Sequence, residues 1–352
     1  MTTRYGAGPS DLAAVVAGLG EPAYRARQIH DGLYARRRPL EELTDLPVAM
    51  RERLATALPL ALEAAAVRSG DDGATTKWLW RTADGAEIET VLMEYPERAT
   101  VCVSSQAGCA MGCTFCATGQ AGFERHLDAA EILEQVVRAQ HATSRRVSNV
   151  VFMGMGEPLA NTEPVLEACT RIHEDLGISA RHITVSTVGV VPGIERLADF
   201  PLPVTLAVSL HAGDDPLREQ LVPLDRRYPI AEVIGAAREY AQRKGRRVTF
   251  EYACIEGVND TPEQAEALAA RLTGFRGGTH VNLIPLNVTG GYTGGPSRLP
   301  RIEAFAARLA ATGVTATIRR NRGTAIDAAC GQLRSRTERG ADPGPGSATM
   351  GP

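Results

Sequence analysis

From about residue 99 onward, short runs rich in β-branched and aliphatic residues alternate with longer segments of helical period. Strands are predicted at 100–104, 149–153, 182–186, 204–209, 248–252 and 280–284, and helical segments between them at 129–141, 230–243, 263–272 and 301–311 among others. A chain that alternates in this way builds parallel strands joined by right-handed crossovers. Six such units are two short of a closed eightfold barrel, so the expected class is α/β, a partial (β/α)6 barrel, with a doubly wound open sheet as the alternative. Both place a ligand at the C-terminal ends of the strands.

The 352 residues exceed what one core fills, so smaller units are expected beside the barrel. Residues 1–60 read as a helical accessory module with a basic side, offered to RNA if not simply solvated. Residues 61–98 form a β-hairpin connector, with Trp78 and Trp80 alternating with polar neighbours and Asp84-Gly85 as the turn. The barrel with its C-terminal extension takes 99–333, and 334–352 is Gly/Pro-rich and expected to be a disordered tail. No apolar run approaches the ~18 residues of a membrane span. Residues 1–10 carry no secretory pattern, so a cytoplasmic protein with no membrane partner is expected. Net charge is −3, which announces no global basic field, but 319–340 holds a local +4 and all basic residues except Lys77 and Lys244 are arginine. Arginine suits bidentate phosphate contacts, although GC-rich codon usage explains it equally well. Arg319-Arg-Asn-Arg322 and Arg243-Lys-Gly-Arg-Arg247 are the candidate RNA contacts.

Seven cysteines, an odd number, argue against a disulfide framework and for metal or catalytic use. Cys109, Cys113 and Cys116 form a Cys-x3-Cys-x2-Cys loop directly after the first barrel strand. Three thiolates can hold three corners of a cubic iron–sulfur cluster and leave one iron open. A zinc ion with a distant fourth ligand, in a zinc-stabilised RNA-binding protein without redox chemistry, is the alternative. Phe115 would shield either group from water.

This loop resembles that of the radical S-adenosylmethionine (radical SAM) superfamily. Arg98-Ala-Thr-Val-Cys-Val-Ser-Ser-Gln-Ala-Gly-Cys109, Gly154-Met-Gly-Glu-Pro158, Ser186-Thr-Val-Gly189, Ser209-Leu-His211, Pro285-Leu-Asn287 and Cys330-Gly-Gln-Leu333 narrow the resemblance to the RlmN/Cfr family, most like its RlmN branch. It runs from about residue 17 to 333. The family methylates an adenine of 23S ribosomal RNA. The resemblance implies a 4Fe-4S cluster on Cys109, Cys113 and Cys116, and two SAM molecules per turnover. Gly156 and Glu157 would meet the SAM amino end, and Ser186, Ser209, Leu210, His211 and Asn287 would line the rest of its site. For Glu157 a helix-start carboxylate, and for His211 a structural histidine, compete evenly.

The resemblance further implies that Cys330 carries a methyl group taken from the first SAM. A radical made from the second SAM removes hydrogen from that methyl, and the resulting carbon radical adds to adenine. Cys102 then closes a transient disulfide with Cys330 that releases the product. Glu89 matches the family's proton acceptor, with a solvated strand carboxylate as the competing reading. Cys169 and Cys254 match no family motif and are expected in the core. The expected reaction is at adenine carbon 2 of 23S rRNA, with tRNA left open as a second substrate and Cfr-like carbon 8 chemistry as the alternative. A monomer served by an electron donor such as flavodoxin or ferredoxin is expected.

Overall fold

The computed structural model describes residues 2–275, 278–319 and 321–333. The tail predicted at 334–352 and Arg320 lie outside the described residues.

The N-terminal module packs helices α1 (Pro9–Gly18), α2 (Tyr24–His30) and α3 (Val48–Ala57), with a π-turn extending α2 through Asp31–Ala35. Its apolar spacing buries Leu12, Val16, Ile29, Leu33 and Leu54 completely, and they join the same continuous core as the barrel. The Tyr34 hydroxyl donates to Ala7 O at 2.9 Å, and Arg171 of the barrel donates to Tyr5 O at 2.6 Å. The module's basic side is partly spent on such contacts: Arg36 pairs with Asp45 at 2.7 Å, and Arg37 donates to Leu176 O.

Strands β1 (Leu62–Gly70), β2 (Thr75–Thr82), β3 (Glu87–Tyr95) and β4 (Arg98–Cys102) form an antiparallel meander, one strand more than the predicted hairpin before the barrel. The short ribbon β5 (Gln106–Gly108) and β6 (Phe123–His126) brackets the five-residue helix α4 (Ala117–Ala121). The α/β alternation follows: α5 (Ala129–His141), β7 (Val147–Phe152), α6 (Thr162–Glu174), β8 (Ile183–Thr187), α7 (Val191–Asp199) and β9 (Thr205–Ser209). It continues through α8 (Asp215–Leu221), α9 (Ile230–Lys244), β10 (Val248–Cys254), α10 (Pro262–Leu272), β11 (Thr279–Pro285), α11 (Leu299–Ala311) and β12 (Thr315–Ile318).

Among the described residues one sheet runs β1-β2-β3-β4-β7-β8-β9-β10-β11-β12, parallel from β4 onward. All six predicted parallel strands are present, and β12 adds a short seventh. The parallel strands do not read as continuous apolar runs. In Val248-Thr-Phe-Glu-Tyr-Ala-Cys254, Val248, Phe250, Tyr252 and Cys254 are fully buried against the helical layer, while Glu251 takes the opposite phase. Ser186, Ser209, Glu251 and Asn282 share that inner phase on neighbouring strands. Such alternation is expected when only one face of a sheet is packed apolar and the other lines a polar cavity.

Beyond β12 the chain crosses to the meander side of the sheet. Arg322 donates to Glu94 O at 2.9 Å and lies over the Tyr95 ring, Gly323 N donates to Asp71 Oδ2, and Lys77 Nζ donates to Asp327 O at 3.0 Å. Arg322, expected on RNA, thus holds this strap in place. The 243–247 basic run lies at the start of β10, at the strand ends away from the predicted ligand site. Arg243 pairs there with Asp199, Lys244 caps Phe200 O, and Arg246 donates to Thr205 Oγ1.

Among the side chains that tie the meander to the helical layer is a buried carboxylate. Glu134 of α5, 0% exposed as a side chain, accepts from Ala61 N at 2.8 Å and Leu62 N at 3.2 Å and pairs with Arg138 at 3.3 Å. Burial raises its pKa, and these three donors oppose the rise. Glu134→Ala strands two buried amide donors and takes the counter-charge from Arg138, which keeps its bond to Leu62 O, so a loss of roughly 3 kcal/mol is expected in chemical denaturation. A loss under ~1 kcal/mol would show that the join is held elsewhere.

Candidate active site

The cysteine loop is the tip of the β5–β6 ribbon. Gly108 sits at φ +72, and a Cβ there would lie 2.0 Å from Gly122 O, so only glycine lets the two strands close before the loop opens. Cys109 N donates to Gly122 O at 2.7 Å, Cys116 N to Cys113 O at 3.2 Å and Thr114 N to Leu221 O at 3.0 Å, which fixes the loop's course. Phe115 is buried and meets the His211 ring edge-to-face at 4.8 Å.

Cys113 and Cys116 face a cavity of about 160 Å³ at the C-terminal strand ends. Its wall also holds Gly156 and Glu157 after β7, Ser186 of β8, Ser209 and His211 around the end of β9, Asn287 after β11, and Cys330. Leu210 lies in the core instead and contributes its backbone, donating to Glu251 O at 3.0 Å. Cys109, Cys102 and Glu89 are not in the wall.

Gly156 has φ +101, and a Cβ would come within 2.5 Å of Gln106 Cβ, whose Oε1 accepts from Glu157 N at 2.8 Å. Glu157 is 2% exposed and accepts from Leu159 N at 2.9 Å and Val188 N at 2.8 Å. It therefore starts the turn Pro158–Ala160 and lines the cavity at once. Burial pushes its carboxyl up to about 7, opposed by those backbone donors. His211, at φ +63, accepts from Ala253 N at 3.0 Å through Nδ1, which leaves the proton on Nε2. Burial, with the nearby Arg218 charge, pushes it down to about 3, so the ring is neutral. Arg218, fully buried, pairs with Asp225 at 2.6 Å and donates to Leu210 O and Val188 O, locking the loops after β8 and β9 together.

The strap brings the distant thiol in. Asn287 Nδ2 donates to Cys330 O at 2.9 Å, and Ala117 N donates to Gly331 O at 2.7 Å, so Cys330 is pinned between the β11 loop and the cysteine loop. Cys330 is accessible from the cavity, yet packed closely enough that burial raises its thiol, with Glu251 adding to the rise. Cys102 is buried beside it: burial raises its thiol and the Cys330 charge raises it further. All seven cysteines are free, and Cys169 and Cys254 are core residues.

Glu89 is a buried side chain, not a solvated one. It is 4% exposed and pairs with Lys77 Nζ at 2.9 Å. The register puts Lys77, Val91 and Cys102 in one row across three strands, with Glu89 two residues along β3 on the same face. Sequence reasoning missed Lys77, Arg218 and Glu251. Only Glu251 carried a signal, a charge in the inner phase of an otherwise apolar strand.

The residues fit both groups the resemblance implies. Burial pushes Cys109 up to about 12 and Cys113 well above its ordinary range, and each of the two thiols feels Cys116. Buried thiols grouped in this way suit a soft metal. Among the described residues no three His, Cys, Asp or Glu side chains converge on one ion position, as zinc requires. A cubane takes its thiolates on separate irons. Asn287 Oδ1 is buried without a hydrogen-bond partner, so a polar ligand in the cavity has a waiting acceptor.

Residues 103–269 match the family model of the Radical SAM superfamily. A probable dual-specificity RNA methyltransferase RlmN of Parafrankia sp. (strain EAN1pec) is 54% identical over 341 residues, covering 91% of this chain and 88% of that protein. The chain belongs to the RlmN family. A second RlmN relative, from Chloroflexus aurantiacus, is 49% identical across 93% of this chain and 91% of its own length. The crystal structure of a radical SAM methyltransferase from Sphaerobacter thermophilus superposes with a TM-score of 0.89 at 49% identity, over 95% of this chain and 99% of that one. The chain thus shares the radical SAM α/β fold throughout its described length, and no described helix is long and apolar enough to cross a membrane.

Gly156→Ala is expected to weaken SAM binding to reconstituted protein at least about tenfold, or ~1.4 kcal/mol, with iron content unchanged. Equilibrium dialysis measures it, and parental affinity would remove Gly156 from the SAM site.

Proposed function

We propose that the chain methylates carbon 2 of an adenine in 23S rRNA and in tRNA, with Cys330 as the intermediate methyl carrier. The observation that carries the proposal is the strap that returns Cys330 to the cavity lined by Cys113 and Cys116, with Cys102 buried alongside. Cys109, Cys113 and Cys116 would hold a 4Fe-4S cluster. Gly156, Glu157, Ser186, Ser209, His211 and Asn287, with the Leu210 backbone, would hold SAM. When bound, these groups supply a methyl group and, on reduction by a donor such as flavodoxin or ferredoxin, a hydrogen-abstracting radical.

The protein's own residues supply the rest. The Cys330 sulfur takes the methyl and, once its carbon is bonded to adenine, tethers the RNA. Cys102, giving up its proton, attacks the Cys330 sulfur; the bond from that sulfur to the RNA-bound carbon breaks, its electron pair stays on the carbon, which takes up a proton to become the methyl group, and the disulfide closes as the product leaves. That disulfide belongs to the cycle, and both thiols are free at rest. Glu89 accepts the ring proton, and the Lys77 ammonium beside it, at 2.9 Å, holds the buried carboxylate in place. The target base has to be turned out of its fold to enter the mouth. Arg319, whose side chain is exposed, is the remaining described candidate of the 319–322 run for phosphate. The protein acts in the cytoplasm as a monomer.

Two experiments test this reading. Anaerobically purified parent should carry a 4Fe-4S cluster that Cys113→Ala abolishes, and unchanged iron in the variant would overturn the ligand assignment. After reaction with SAM, reductant and RNA, Cys102→Ala should give a ribonuclease-sensitive slow band on a denaturing gel, because the tether forms and is not released. Cys330→Ala should give neither band nor methylation. The band from Cys330→Ala, or full methylation by either variant, would refute the two roles.

A further inference from the structure

We propose that Glu251 accepts the proton that leaves Cys330 when this thiol takes up its methyl group. The inference rests on the methyl-carrier reading of Cys330 and assigns the one cavity carboxylate that reading leaves without a role.

Glu251 stands on the inner face of β10, in register with Ser209 of β9 and Asn282 of β11. It is 5% exposed and lines the same cavity as Cys330. Its Oε1 accepts from Asn282 Nδ2 at 2.7 Å, and its Oε2 has no hydrogen-bond partner among the described residues. Asn282 thus orients the carboxylate and leaves one oxygen for a proton.

Converting a thiol to a thioether releases a proton, and a cavity filled by cofactor has displaced the water that would carry it off. The other titratable wall groups are committed. Both Glu157 oxygens accept backbone N–H groups. His211 accepts from Ala253 N through Nδ1 and carries its proton on Nε2. Cys113 and Cys116 are assigned to the cluster, and Cys102, which lies outside the wall, is a thiol that burial keeps protonated. Glu251 alone combines a free acceptor oxygen with a wall position. Burial also raises its carboxyl, which makes it the better proton acceptor, while the Asn282 bond and the Arg319 charge hold that rise in check. Around Cys330 the facing charges are Glu251, Arg319 and Cys116.

The step balances. The Cys330 sulfur attacks the sulfonium methyl of SAM, the bond from methyl to sulfonium sulfur breaks, and its electron pair stays on that sulfur as a neutral thioether. The Cys330 proton passes to Glu251 Oε2, directly or through one water.

The test uses Glu251→Gln, whose side-chain oxygen can still accept from Asn282. Protein from iron-depleted cells is reconstituted with cluster and given SAM without RNA or reductant. Mass spectrometry of the Cys330 peptide reads the methyl gained, and iodoacetamide labelling of the same thiol in cofactor-free protein is the second readout. Methylation should slow by about 100-fold or more, the size of a lost general base. Labelling should hold or quicken, because the open cavity exchanges protons with water and the opposing negative charge is gone. Glu251→Asp should recover part of the methylation rate. A parental methylation rate in Glu251→Gln would overturn the proposal. So would an equal fall in both readouts, which would mark a merely structural residue. Absence of methyl on Cys330 in the parent would overturn the methyl-carrier reading itself, and this inference with it.

Discussion

An open barrel has an unequal sheet, one face dry against helices and the other polar toward a cavity, and that inequality governs where everything else can go. The dry face takes Val248, Phe250 and Tyr252 of β10, all fully buried. The inner face takes Ser186, Ser209, Glu251 and Asn282, whose polar atoms need partners or ligand once water is gone. Ser186 and Ser209 find each other at 3.5 Å, and Asn282 finds Glu251. Asn287 Oδ1 finds nothing. A wall satisfied in part is built for an occupant, and the residues short of partners lie at the strand ends where the resemblance puts SAM.

The same inequality explains which parts of the fold were legible in the sequence. Dry-face residues recur every second position in β8, β9 and β10, so those strands announced themselves. β1 did not, because Leu62-Glu-Ala-Ala-Ala-Val-Arg is mostly exposed and its alanines carry no period. β12 was hidden because four residues of threonine, alanine and isoleucine are too short for pattern to decide. The cysteine loop was readable as a metal site from spacing alone. Its placement at the tip of a ribbon was not, since β5 and β6 are three and four residues long and are held by Gly108 rather than by any apolar pattern.

Site residues divided along the same line. The motif glycines, serines and cysteines stood out because each is small or reactive in a place where bulk would be ordinary. Buried charges did not. For Glu89 a solvated strand carboxylate competed with the proton acceptor, and nothing in the sequence singled out Lys77 beyond its being one of two lysines. The strap lies over β2 and β3, and both residues are buried in the fold. Two charges so buried stay ionised only as a pair with further hydrogen bonds, and Lys77 has one to Asp327 O at 3.0 Å.

That bond gives the buried pair a consequence beyond its own charge balance. Asp327 lies three residues before Cys330 and holds φ +51, a conformation a non-glycine residue adopts only when its surroundings hold it there. Lys77 therefore touches the strand that carries Glu89 and the strap that carries Cys330. The segment is fixed from the other side by Asn287 of the cavity wall and Ala117 at the start of α4, directly after the cysteine loop. A single short segment is thus referenced to each of the elements the proposed methyl carrier would have to serve: the cavity wall proposed for SAM, the cysteine loop and the strand of Glu89. Chain entropy makes such a segment costly to hold in one place, and the bonds that hold this one are spread over three separate elements, Lys77 of β2, Asn287 after β11 and Ala117 of α4.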